Sequence, residues 1–223
     1  MSSYLDIHTH LNSTEENVVS IKNLSSNFNS TIAEQFYSIG LHPWYIDAES
    51  FENQFLQLKQ IAFNKEVLAI GECGLDKRCK TNMDLQKKCF VSQVQLAQSI
   101  RKPLVIHSVK AYDETIKILQ QEAFNLPVVF HGFNSKIELA EKLIDKGYYL
   151  SFGRHILSER MPSVFKKIPL SSVFFESDTA NVSMKLIYEQ AAFLKSIEIE
   201  KLSAQIRKNA ILVFGEKIFR NDA

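Results

Sequence analysis

The residues best suited to chemistry are histidines and carboxylates spaced along the whole chain: His8 and His10, His42, Glu72, His107, His131 and Asp178. His8 and His10 lie two apart in Leu5-Asp6-Ile7-His8-Thr9-His10. In an extended strand such residues share a face, so the two imidazoles stand side by side, either as half of a metal site or as incidental surface residues. The others each end an apolar run: Glu72 follows Glu66 to Gly71, His107 follows Pro103 to Ile106, His131 follows Pro127 to Phe130, and Asp178 ends Ser172 to Ser177. Four imidazoles and two carboxylates drawn from these residues exceed what one tetrahedral ion needs. They suit two divalent ions bridged by a carboxylate. Two ions roughly 3.5–4 Å apart can ionise a shared water and polarise a carbonyl or phosphoryl oxygen. Glu72 is the natural bridge, and Asp178 is the ligand suited to take a proton.

From Pro43 onward the elements that must position these residues alternate regularly. Apolar strands at 66–71, 103–107, 127–131, 148–152 and 172–178 are separated by amphipathic helices at about 51–62, 83–100, 111–122, 135–146 and 158–167. Helices at about 184–196 and 199–214 close the chain, the last stopped by Gly215. Apolar strands alternating with helices predict parallel βα units covered on both faces. Ligand-type residues at the ends of many strands favour a TIM-type (β/α) barrel, where strand ends converge, over an open sheet with one switch point. Before Pro43 the pattern changes. Strands are predicted at 17–24 and 34–42, but the links 11–16 and 25–33 are short and polar. The expectation is an α/β barrel distorted or shortened near its N-terminus, with helices missing between the first three strands. Strands two and three are expected to be antiparallel or irregular. With no Gly/Pro/Ser linker or fixed-period repeat, residues 1–223 are expected to form one domain.

A formal net charge of +1 gives no support to a strong nucleic-acid or membrane footprint, although a local basic patch remains open. No apolar run approaches the roughly 18 residues of a membrane span. Cys73, Cys79 and Cys89 are odd in number and lack CxxC spacing, so the expected compartment is the reducing cytoplasm. No glycine-rich phosphate loop is present, which argues against a nucleotide cofactor.

Six segments together carry a resemblance: His8-Thr9-His10, Gly40-Leu41-His42-Pro43, Gly71-Glu72-Cys73-Gly74-Leu75-Asp76, Pro103 to His107, His131-Gly132-Phe133 and Glu176-Ser177-Asp178. In this order they resemble the TatD-like metal-dependent hydrolases (the TatD DNase family) of the amidohydrolase-like barrels. The resemblance extends to Asn209-Ala210 and Phe214-Gly215 in the final helix. It implies His8, His10, Glu72, His107, His131 and Asp178 as metal ligands, and two divalent ions (Mg, Mn or Zn). It also implies a deoxyribonuclease activity, often 3′-exonucleolytic. The chain departs from the family pattern in four places. The helical segment between the first and third strands is largely missing. Val109 stands where an Arg is usual, Gly132-Phe133-Asn134-Ser135 replaces Cys-Phe-Ser-Gly, and Thr179-Ala180-Asn181 lacks the usual Pro.

Other residues admit two readings each. His42 is either a substrate contact or a strand-ending structural residue. Lys77-Arg78-Cys79-Lys80 is either a phosphate-contacting loop, with Lys77 and Arg78 as substrate-binding residues, or a solvated charge run. His155 either reaches the mouth of the barrel or stays on the surface. Asp6 and Glu176 share a face with His8 and Asp178, which suits them to orient ligand imidazoles. Cys73 should face the helix layer as an ordinary buried thiol. The leading function is a phosphodiesterase or deoxyribonuclease using a two-metal-activated water, with Asp178 and Glu72 as catalytic residues and DNA as substrate. The alternatives are hydrolysis of a small-molecule amide, lactone or phosphoester, and a barrel that keeps its ligands but serves as a binding module.

Overall fold

All 10 residues of strand β4 (Val67–Asp76) are buried, as a parallel strand covered on both faces requires. In this computed structural model the described residues are 4–12, 15–25, 28, 35–158 and 161–219. They carry β1 (Tyr4–Thr9), β2 (Val18–Leu24), β3 (Phe36–Ile39), α1 (Phe51–Ala62), β4, α2 (Met83–Ser99), β5 (Leu104–Val109) and α3 (Tyr112–Gln121). Next come β6 (Val128–Phe130), α4 (Ile137–Ile144), β7 (Tyr149–Phe152), α5 (Met161–Phe165), β8 (Val173–Phe175), α6 (Met184–Lys195) and α7 (Ile199–Phe214). The chain divides into two units, Met1–Lys22 with Val129–Ala223, and Asn23–Val128.

In the first unit β6 pairs with β7, β7 with β8, and β1 with β2, all parallel. A parallel bridge between Thr9 and Asp178 sets the first strand beside the last. Strand β1 is also held from the helix side, where the buried Tyr188 hydroxyl of α6 accepts from the Leu5 amide (3.0 Å) and donates to the Leu5 carbonyl (3.1 Å). Asn209 of α7 is buried and donates to the carbonyls of Leu170 and Val173, pinning the entry to β8. That contact gives the Asn209-Ala210 motif its physical reason.

In the second unit β4 pairs in parallel with both β3 and β5. Helix α2 begins at an Asn82 cap, whose side chain accepts from the Asp84 and Leu85 amides. Its buried face carries two glutamines among the apolar residues. Gln93 accepts from the Leu41 amide (2.7 Å) and donates to the Leu41 carbonyl (3.1 Å). Gln86 accepts from the Asp76 amide (2.8 Å) and donates to the Thr81 carbonyl (2.8 Å). Two side chains of one helix thus fix the segments that follow β3 and β4.

Two expectations are corrected. Strands β2 and β3 are not antiparallel. Asn23 bonds to Ser38, and the Gly40 amide donates to Leu24, so both strands advance together. No helix separates β1, β2 and β3 among the described residues. A parallel return needs reach rather than a helix. Residues 10–17 can extend over about 26 Å, more than the roughly 20 Å that a six-residue strand spans. Second, β4 does not end at Gly71 but runs on to Asp76, which places Glu72 within the strand. Gly74 makes this possible. It has φ +143°, and a Cβ there would overlap the His107 carbonyl oxygen of β5.

Candidate metal centre

Each unit carries its own cluster of nitrogen and oxygen donors. In the first, His8 on β1 is fully buried, and its ring lies 4.3 Å from that of His131 and 5.1 Å from that of His10. Asp178 is locked between the two β1 histidines by its backbone: its amide donates to the His8 carbonyl and its carbonyl accepts from the His10 amide, both at 2.9 Å. It has φ +54°, in the left-handed region that Asp tolerates better than most residues. Its Oδ1 lies 3.8 Å from His8 Nε2 and 3.7 Å from His10 Nε2. Donor atoms of His8, His131 and Asp178 all fall within 4.8 Å of one another.

Two buried carboxylates support this cluster. Glu176 Oε1 lies 3.5 Å from His131 Nδ1 and accepts from the Gly132 amide at 2.7 Å. Burial alone would raise its pKa, but His131, and behind it His8, outweigh that and hold the carboxyl below its ordinary value. Asp6 accepts from the Ser177 amide and hydroxyl and from the His8 amide. For Asp6 burial prevails, and its pKa is pushed up to about 7, with Glu176 nearby adding to the rise.

The second cluster is built on β4 and β5. Alternation along β4 puts Glu72, Gly74 and Asp76 on one face, and Gly74 pairs with His107. The His107 ring therefore sits between two carboxylates, with Nδ1 2.8 Å from Glu72 Oε1 and Nε2 3.2 Å from Asp76 Oδ2. His42 is buried and directs Nε2 to within 3.3 Å of Glu72 Oε1. Donor atoms of His42, Glu72 and His107 again fall within 4.8 Å of one another. Asp76 is held below the ordinary carboxylate range. Burial opposes this, but hydrogen bonds from the Trp44 indole (2.6 Å) and the Arg78 amide (2.7 Å), together with His107, prevail.

The sequence-predicted residues thus gather as His8, His10, His131 and Asp178 in one unit, and Glu72 and His107, joined by His42, in the other. Asp6 and Glu176 lie against the first cluster as expected. Lys77 pairs with Glu114 and Arg78 is exposed. His155 is exposed in a short 3-10 turn, Arg154–Leu157. Cys73 is a buried thiol whose pKa burial raises. Asp76, Trp44, Gln86 and Gln93 were missed by sequence reasoning. The signal available for Asp76 was its period-two spacing from Glu72. The donor sets fit divalent metal: buried imidazoles and carboxylates converge within one ion's reach, and carboxylates back their histidines.

A family model described as TatD related DNase matches residues 7–215. The chain is 31% identical over 222 residues to an uncharacterized metal-dependent hydrolase of Buchnera aphidicola, covering 89% of this chain and 83% of that protein. Among solved structures it is similar to YjjV, a TatD homologue of Escherichia coli. That likeness has TM-score 0.80 at 19% identity and covers 95% of this chain and 97% of the other. It is also similar to a phosphotriesterase homology protein of Escherichia coli, with TM-score 0.62, 14% identity and coverage of 96% and 97%. These likenesses show the fold class, the TIM-type α/β barrel expected from the sequence.

Proposed function

This chain belongs to the TatD-related DNase family of metal-dependent hydrolases, and on that premise we propose that it hydrolyses phosphodiester bonds of DNA. The observation that carries the proposal is the pair of donor sets, one in each unit, each with two histidines and a carboxylate within 4.8 Å. Each set would hold one divalent ion, the kind of ion that nucleases and phosphatases use to polarise a phosphoryl oxygen. His8, His10, His131 and Asp178 are the proposed ligands in the first unit, and Glu72 and His107 in the second. Bound divalent ions (Mg, Mn or Zn) would supply positive charge that polarises a phosphoryl oxygen and makes water more acidic.

The chain's own side chains do the remaining work. Asp178, half exposed and fixed by two backbone hydrogen bonds, accepts the proton of the attacking water at Oδ1. Glu176 holds His131 and Asp76 holds His107, so that neither ring must reorganise during reaction. His42 steadies the Glu72 carboxylate. Arg78, exposed next to Asp76, is the proposed contact to substrate phosphate, whereas Lys77 pairs with Glu114.

A net charge of +1 favours one other reading, an amide, lactone or phosphoester hydrolase acting on small molecules. The deciding experiment strips the protein with a chelator, reloads it with Mg2+, Mn2+ or Zn2+, and assays 3′-tailed DNA beside a panel of amides and lactones. Ion-restored cleavage of DNA, absent from His107→Ala and reduced roughly 10²–10⁴-fold in Asp178→Ala, is expected. Turnover of an amide or lactone with no DNA cleavage above the His107→Ala level would overturn the DNA reading.

A further inference from the structure

Beside the second cluster the surface carries two consecutive exposed aromatic residues, Trp44 at 57% and Tyr45 at 54%. Scattered exposed apolar residues need no explanation, but this pair differs in two ways. Both rings pack against His42, Trp44 edge-on at 5.3 Å and Tyr45 tilted at 5.5 Å, and Trp44 also lies 6.4 Å from the His107 ring. Trp44 is moreover fixed at both ends. Its backbone amide donates to His42 Nδ1 (3.1 Å), and its indole N–H donates to the buried carboxylate of Asp76 (2.6 Å). A large ring held rigid in water costs ordering entropy and gains little burial. Such an arrangement is what a preorganised contact surface needs.

The same carboxylate reaches a second element. Asp76 Oδ1 accepts from the Arg78 amide, and Cys79 Sγ lies 3.8 Å from the Pro43 carbonyl. The loop 43–45 and the loop 77–80, which exposes Arg78 and Lys80, are therefore tied together at Asp76. Exposed rings interleaved with cations are the recognition chemistry of single-stranded nucleic acid, with stacking for the bases and charge for the phosphates. A chain of net charge +1 gains little from phosphate neutralisation alone. Stacking then carries much of the affinity.

The geometry points to Trp44 and Tyr45 as a nucleobase-stacking platform that Asp76 joins to the His107 cluster, with Arg78 and Lys80 meeting the adjoining phosphate. The platform would take a nucleobase of the strand being cleaved, and so rests on the phosphodiesterase reading above. Asp76 serves as a positioning residue: one carboxylate orients both the ring that meets the base and the imidazole of the candidate metal cluster.

Trp44 is the sole tryptophan of the chain, so indole fluorescence reports on the platform alone. The full-length protein with Mg2+ is titrated with a phosphorothioate oligothymidylate, which resists hydrolysis, and with its abasic counterpart. Saturable quenching of Trp44 by the base-bearing strand is expected, with the abasic strand at least fivefold weaker and without quenching. Trp44→Ala, followed by anisotropy of a labelled strand, should bind roughly 5- to 100-fold more weakly, and Trp44→Phe should recover most of the loss. Equal binding of the abasic strand, no binding of either strand, or unchanged affinity in Trp44→Ala would overturn the platform. The two readings fail separately. Stacking with no cleavage of ordinary DNA would remove the phosphodiesterase reading and leave the platform, whereas cleavage with affinity indifferent to Trp44 would do the reverse.

Discussion

The two donor clusters use the same device, a histidine backed by a buried carboxylate, but they connect it to different things. Glu176, behind His131, is buried and receives the backbone amide of Gly132, so its partners are a histidine ring and a main-chain amide of its own unit. Asp76, behind His107, receives the exposed Trp44 and the amide of exposed Arg78. The first carboxylate supports only a histidine; the second also couples a histidine to an exposed ring. Both carboxylates are buried, so the contrast lies in the partners each receives and not in its own exposure.

The largest expected effect comes from Glu176→Ala. It leaves His131 without its carboxylate and opens a polar void in the core, which should cost roughly 3 kcal/mol in chemical denaturation. Metal affinity, measured by competitive chelation, should fall roughly 10- to 100-fold. Stability within 1 kcal/mol of wild type would mean that the interior support does not differ from a surface one. Asp76→Asn should be milder in stability but broader in consequence. Metal affinity should drop about tenfold, and Trp44 emission anisotropy should also fall as its indole anchor loosens. A metal effect with unchanged Trp44 anisotropy would break the proposed coupling.

Thiol labelling probes the same contrast without mutation. Burial pushes the Cys89 thiol up to about 12 and raises Cys73 as well. Cys79 sits half-buried in the loop tied to Pro43. Iodoacetamide at pH 8 should therefore label the folded protein at Cys79 alone, as read by peptide mass spectrometry. Modification of Cys73 at a similar rate would show that β4 opens more readily than its burial implies. The smallest effect is expected from Lys77→Ala. Its partner Glu114 is held below its ordinary pKa chiefly by the Lys77 hydrogen bond, on an exposed face. A depressed carboxylate contributes stability above its unfolded pKa and loses it as pH falls through its folded value. The variant should thus differ from wild type by under about 0.5 kcal/mol at pH 7 and converge with it as pH falls through the depressed value of the Glu114 carboxyl.

Much of this molecule is legible residue by residue. Helix α7 occupies Ile199–Phe214 as its apolar period and the Gly215 stop predict. The ligand-type residues stand where runs of Val, Ile and Phe end, because strand alternation and a polar terminus leave a local signature. The misreadings share one cause. A link too short and polar for a crossover helix predicts strands β2 and β3 to be antiparallel or irregular, yet β2 runs parallel to β1 and β3 parallel to β4. The apolar run before Glu72 predicts a strand ending at Gly71, yet β4 runs on to Asp76 where glycines let the β5 backbone approach closely.

By itself, then, the sequence determined the family, the alternation of strands and helices and the inventory of donors, since each rests on residue type and short-range period. Only the tertiary structure decided which donors share a cluster, that Gln86 and Gln93 clamp the segments beside them, and that Asp76 serves both His107 and Trp44. Those partners lie 31 and 32 residues away from Asp76. Contacts at that separation are fixed by strand register and packing, which no local pattern encodes.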